Sequence, residues 1–157
     1  MQDIMNHLEL KIPPPVVAIL VALLMWVISL IGPSIDLPEV LKVFVAMTLV
    51  MVGFAFDIAG LIAFRRARTT VNPIRLELTS SFVSSGIYRI TRNPMYVGLV
   101  FILLAWAVYL ATPWSLLGPV AFVWYTGRFQ IQVEERMLTQ MFGAQYSAYK
   151  IRVRRWL

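Results

Sequence analysis

Few side chains in this sequence can do chemistry, and they are unevenly placed. Arg128, Gln132 and Glu135 follow one another at intervals of four and three residues, so a helix would carry all three on one face. The stripe runs on from Glu135 through Leu138, Phe142, Tyr146, Tyr149 and Val153, at intervals of 3, 4, 4, 3 and 4. A carboxylate on a largely apolar stripe needs a partner or a ligand, because an unpaired buried charge is costly. The plainer alternative is an interfacial helix whose arginines snorkel toward water, and the spacing allows both. Asp57 raises the same question inside an apolar run, 8 residues before Arg65, or about 12 Å of helix. Ionisable residues in such a run usually face inward and either pair or act. An ion pair with a nearby arginine and a catalytic role are therefore both open. His7 is the only histidine and is expected at the surface. There is no cysteine, which excludes disulfides, a thiolate nucleophile and cysteine metal sites, and no metal is expected.

The elements that must position these groups are written in the composition. Of 157 residues, 59% are hydrophobic and only 14% charged, and the mean hydropathy is +0.74. Soluble domains carry about 25% charged residues, so an integral membrane protein is expected and most small soluble enzyme folds are excluded. Residues 12–35 hold no charge; Pro13–Pro15 open the run and Gly32–Pro33 close it, placing a first span at about 16–31. A signal peptide is not expected, because Asp3 and Glu9 replace a basic n-region. A second span falls at 43–64, with Asp57 its single charge. From Asn93 to Gly127 there are 35 uncharged residues, about 52 Å as one helix against a hydrocarbon core of ~30 Å. Thr112–Pro113 divides this run into spans at 95–111 and 114–130, joined by a tight hairpin. Tyr109 and Trp114 suit an aromatic belt at that turn. The fold class expected is all-α: four transmembrane helices in a single domain, followed by an amphipathic cytosolic helix at 133–150.

The net charge of +6 would suggest nucleic acid on a soluble protein, but here its distribution reads as orientation. Residues 33–39 and the Thr112–Pro113 turn carry no Lys or Arg. The segment 65–92 carries Arg65, Arg66, Arg68, Arg75, Arg89 and Arg92, and the stretch after the fourth span is basic too. The positive-inside rule therefore places both termini and the 65–92 loop in the cytosol. That loop is long for a helical bundle and rich in hydroxyls, with Thr69–Thr70, Asn72–Pro73 and the run Thr79–Ser85. It reads either as a linker or as a segment folded over a site.

Two stretches carry a resemblance. SSGIYRITRNPMYVG, Ser84 to Gly98, is followed about 35 residues later by EERMLTQMFGAQYSAYKIRVRRW, Glu134 to Trp156. In this order and separation they resemble the isoprenylcysteine carboxyl methyltransferase-like family, part of a membrane group that also holds the phospholipid N-methyltransferases. The resemblance runs from about Thr69 onward, with weaker similarity upstream. It implies methyl transfer from S-adenosylmethionine at the membrane–cytosol boundary. The cofactor would lie among the ends of the last two spans, the preceding loop and the cytosolic helix. The resemblance assigns Gly86, Ile87 and Tyr88 to close backbone approach and a ring, Asn93 and Pro94 to the loop at the mouth of the third span, and Tyr96 and Gly98 to its first turn. It assigns Glu134 and Glu135 as paired acidic residues, and Phe142, Tyr146 and Tyr149 to the helix closing the pocket. Asn93 stands where the eukaryotic carboxyl methyltransferases commonly have His, and no G-x-G of the phospholipid enzymes occurs.

Methyl transfer from a sulfonium is an in-line displacement in which charge disappears, so alignment and desolvation supply most of the acceleration. An anionic acceptor needs no base; Arg128 and Arg92 are the candidates to orient one. An amine or hydroxyl would need a base, for which Glu135 or Asp57 could serve. The expected reaction delivers a methyl group to a lipophilic or small acceptor, with carboxylate or thiolate favoured. Phospholipid N-methylation, small-thiol S-methylation and a non-catalytic membrane scaffold remain alternatives. The expected location is a bacterial inner membrane, and the expected partners are the bilayer and the acceptor, without nucleic acid.

Overall fold

A computed structural model describes residues 12–67 and 82–157. All of the regular elements among those residues are helical, without a strand; one isolated bridge joins Thr91 and Arg154. Helix α1 spans Pro14–Ser29 and α2 spans Glu39–Ala67. A single 3₁₀ turn, Gly86–Arg89, leads into α3, Pro94–Leu110. A second such turn, Pro113–Leu116, precedes α4, Leu117–Thr126. A π turn, Gly127–Ile131, then passes directly into α5, Gln132–Arg152. Prolines set the starts of α1 and α3, where the missing N–H costs nothing. Ala111 closes α3 in the left-handed region, φ +49°.

Among the described residues, α2 is the helix long and apolar enough to cross a membrane by length and composition. Helices α1 and α3 are apolar but shorter, with 16 and 17 residues. The fourth apolar segment, expected as one helix over 114–130, is three pieces: the 3₁₀ turn, the 10-residue α4 and the π turn. Its proline-led start and wider last turn interrupt the regular ladder. Much of the loop expected at 65–92, including Thr69–Thr70, Asn72–Pro73 and Thr79–Ser81, lies outside the described residues, as does His7.

Close helix approach explains how α2 is held. Its buried residues are small: Ala46, Gly53, Gly60 and Ala63, three of them seven residues apart. A Cβ on Gly53 would stand 2.8 Å from the Gly98 carbonyl oxygen, and one on Gly60 would stand 2.9 Å from Met95 Cγ. Small residues let apolar helices pack backbone to backbone where lipid removes the hydrophobic drive between them. The opposite face of α2 leaves Phe44, Met47, Met51, Phe54, Ile58 and Ile62 exposed, a stripe suited to lipid. On the other side of α3, Val17, Ala18 and Met25 of α1 pack with Tyr96, Leu103, Ala107, Phe122 and Ile131 as the main core.

Candidate active site

The chemistry gathers where the start of α3, the π turn, the first turns of α5 and the segment after α5 converge. Glu135 lies at its centre. Its side chain is 13% exposed, and two guanidinium groups hold it. Arg155 donates from Nε to Oε1 at 3.1 Å and from Nη2 to Oε2 at 2.6 Å. Arg92 Nη2 approaches Oε1 at 3.2 Å from a side chain only 11% exposed. A bidentate arginine–carboxylate pair is among the stronger charge-assisted contacts, and it raises the Arg155 pKa above the ordinary arginine value. Two cations on one anion leave the cluster with a net positive charge. Arg92 Nε is buried and has no hydrogen-bond partner.

Glu134 serves a different network. The Tyr96 hydroxyl lies 2.7 Å from Glu134 Oε1 and 3.1 Å from Gln130 Oε1, and Gln130 Nε2 donates to the Ile12 carbonyl at 2.5 Å. One hydroxyl proton cannot serve two acceptors. Burial pushes the Glu134 pKa up to about 7; the Tyr96 hydrogen bond opposes the rise and the neighbouring Glu135 charge adds to it. A protonated Glu134 could donate to Tyr96, which would donate to Gln130, satisfying the whole row.

The loop before α3 is zipped to the segment after α5. The Arg92 N–H donates to the Arg154 carbonyl at 2.9 Å. The Asn93 side-chain amide and the Thr91 hydroxyl both donate to the Arg155 carbonyl, at 2.8 and 3.2 Å. Pro94 is fully buried as the first residue of α3. Tyr149 donates to the Tyr88 carbonyl at 2.6 Å, tying α5 to the 3₁₀ turn. Gly86 enters that turn at φ +61°, a conformation that favours glycine. Tyr88 is buried edge-on to Phe64 of α2, and Ile87 packs beside it. Phe142, Tyr146 and Tyr149 all lean on Phe82, with ring centroids 5.3–5.5 Å away. Beside Glu135, an open groove of about 510 Å³ is lined by Gln132, Glu135, Arg136, Thr139, Gln140 and Lys150.

The structure therefore brings together Arg92, Asn93, Tyr96, Glu134, Glu135, Tyr146 and Tyr149. It places Gly98 and Asp57 elsewhere: Asp57 packs against Gly98 at the α2–α3 crossing, about 200° around α3 from Tyr96. Arg128 lies 3.5 Å from Gln132 Oε1 and over the Phe129 ring. The Arg128–Gln132–Glu135 stripe persists, with Arg128 meeting Gln132 and with Gln132 and Glu135 lining one groove; the π turn in addition buries Gln130, while Gln132 stays exposed. Arg155, Gln130, Thr91 and Phe82 were not singled out from the sequence. For Arg155 the signal was weak, since it sits in a run of arginines that orientation alone accounts for.

A family profile described as phospholipid methyltransferase matches residues 41–145. A protein of Haemophilus influenzae with no described function is 44% identical over 63 residues, covering 40% of this chain and all of its own length. Protein-S-isoprenylcysteine O-methyltransferase B of Arabidopsis thaliana is 32% identical over 107 residues, 68% of this chain and 54% of that enzyme. The Saccharomyces cerevisiae protein-S-isoprenylcysteine O-methyltransferase is 32% identical over 71 residues, 45% of this chain and 30% of that enzyme. The chain spans about half the length of the plant enzyme it matches. No solved structure matches it. The fold and the matches define a class, helical membrane methyltransferases. Within that class, the chain belongs to the phospholipid methyltransferase family, in its isoprenylcysteine carboxyl methyltransferase-like branch.

Proposed function

We propose that this chain is a membrane methyltransferase that takes its methyl group from S-adenosylmethionine and delivers it, at the cytosolic face, to a lipophilic or small anionic acceptor. The observation that carries the reading is the buried Arg92, its Nε unpartnered, paired with Glu135, which itself lines an open groove of about 510 Å³. An orphaned guanidinium donor fits the cofactor's carboxylate, and the groove falls in the size range of small-molecule sites. The cofactor supplies an electrophilic methyl on a cationic sulfur. Arg92 would hold the carboxylate, and Glu135 would fix Arg92. Glu134 and Tyr96 offer oxygen acceptors to a positive group.

An acceptor held beside the cluster would take the methyl on its own lone pair, the bound cofactor's sulfur keeping the bonding electrons. A carboxylate or thiolate arrives already deprotonated, and the net positive charge of the Arg92–Glu135–Arg155 cluster favours it. Arg128 is the candidate to orient such an acceptor. An amine acceptor would have to lose a proton. Glu135 is already engaged by two arginines, so Glu134 is the candidate to take it. The plant and yeast relatives are, by name, O-methyltransferases of protein S-isoprenylcysteine, which supports a lipophilic oxygen acceptor here.

The membrane arrangement belongs to the same proposal: one domain of four spans, with both ends and the 65–92 loop in the cytosol of a bacterial inner membrane. The proline-free interior of α2 and the absence of Lys and Arg from 33–39 and 112–113 support it. Calorimetric titration of adenosylmethionine into the detergent-solubilised protein tests the cofactor. Saturable binding, weakened about ten-fold or more by Arg92→Gln, is expected from loss of a charge-assisted contact. No binding would leave the scaffold reading. Radiolabelled methyl, followed into lipid, prenyl-cysteine and thiol fractions, tests the acceptor; label confined to phospholipid would overturn carboxyl or thiol methylation.

A further inference from the structure

Residues 153–156 end the second resembling stretch and lie beyond the residues matched by the family profile, 41–145; so far only the charge of Arg155 has been given a role. They touch the loop before α3, the first turn of α5 and the main core. Val153 leaves α5 in extended conformation, φ −122° and ψ 133°, turning the chain back toward α3. The Arg154 carbonyl accepts from the Arg92 N–H. The Arg155 carbonyl accepts from both Thr91 and Asn93, while the Arg155 guanidinium grips Glu135 through both oxygens. Trp156 packs against the main core beside α1 and α3. A single residue thus binds the loop before α3 with its main chain and the first turn of α5 with its side chain. Those two elements supply Arg92 and Glu135.

We infer that Arg155 is a positioning residue: the segment Val153–Trp156 is a clasp that holds the Arg92 loop against α5, so that the Arg92 guanidinium stays unforked on Glu135 and keeps a donor for the carboxylate of the methyl donor. The inference rests on the reading of the site as an adenosylmethionine site. Its physical basis is competition for one carboxylate. With Arg155 on Glu135 through both oxygens, Arg92 meets that carboxylate through Nη2 to Oε1, and its buried Nε has no partner. Without Arg155, Glu135 would be free to take Arg92 in a fork-to-fork pair, which occupies the donors the ligand needs. Asn93, assigned from the resemblance to the cofactor loop, is committed to this clasp through its side-chain amide.

The test uses the full chain in detergent, with adenosylmethionine and adenosylhomocysteine as probes and Arg155→Gln, Arg155→Lys and Arg152→Gln as variants. Arg152 is exposed and serves as a charge control in the same stretch. Arg155→Gln is expected to weaken binding of both probes about ten-fold or more, with helix content unchanged. Arg155→Lys, which keeps the charge but not the bidentate fork, should lose about three-fold, and Arg152→Gln nothing. In turnover, Arg155→Gln should raise KM for the methyl donor while leaving KM for the acceptor unchanged, a split that general unfolding would not produce. Should Arg155→Gln fail to fold, Arg155→Lys decides alone, and affinity equal to the parent overturns the clasp. If the parent binds neither probe, it is the adenosylmethionine reading that fails. If the parent binds and all three variants bind equally well, the clasp fails and that reading stands.

Discussion

At the scale of single residues, two adjacent glutamates have opposite environments. Glu135 is ion-paired with Arg92 and Arg155, whereas Glu134 sits among Tyr96, Gln130 and its own charged neighbour with a pKa raised to about 7. The linkage follows from that rise. Between the ordinary glutamate value near 4.5 and about 7, the folded chain keeps a proton that the unfolded chain has released. Stability contributed by protonated Glu134 is therefore complete below the lower value and is lost as pH rises through the upper one. The Tm of the solubilised protein should fall from pH 5 to pH 8, and Glu134→Gln should flatten that slope; an unchanged slope would refute the assignment. The pairing of two acids was legible as a motif. Their division of labour was not, because it depends on Arg155 and Tyr96, which lie 20 and 38 residues away in sequence from the carboxylates they meet.

Among the elements, helix type and approximate position were readable from charge-free runs and prolines, and α1, α2 and α3 fall within a few residues of expectation. Two irregularities were not readable, and both shape the site. The π turn at Gly127–Ile131 rotates Gln130 inward toward Tyr96; such single wide turns recur at functional sites. Gly143, at φ 51° and ψ −123°, kinks α5 between Phe142 and Tyr146, so that both rings reach Phe82. A Cβ at Gly143 would meet nothing within 4 Å, so the cost of Gly143→Ala is conformational only, about 1–3 kcal/mol. It should lower Tm and weaken adenosylmethionine binding together. At the α2–α3 crossing the cost is steric instead. Gly53→Val must displace the Gly98 backbone and should destabilise by about 1–3 kcal/mol, read by thermal unfolding in detergent.

For the whole molecule, orientation is the property with a direct test, and the absence of cysteine makes it clean. Ser34 and Ser84 are both exposed. In intact cells, a membrane-impermeant maleimide should label Ser34→Cys, and should label Ser84→Cys only after permeabilisation; the reverse pattern would invert the topology. Sequence by itself determined that this is an apolar helical protein, where its helices begin, and which family carries its motifs. These follow from local rules: charges are excluded from hydrocarbon, proline starts helices, and motif order survives without contacts. Only the tertiary structure decided which polar groups meet. It moved Asp57 to the far face of α3, brought Gln130 into a buried network with Tyr96, and turned Arg155 from one more orienting charge into the partner of Glu135. The reason is physical: ion pairs and hydrogen bonds act over a few ångströms, and a π turn, a glycine kink and a returning segment set those distances by steps that no periodicity records.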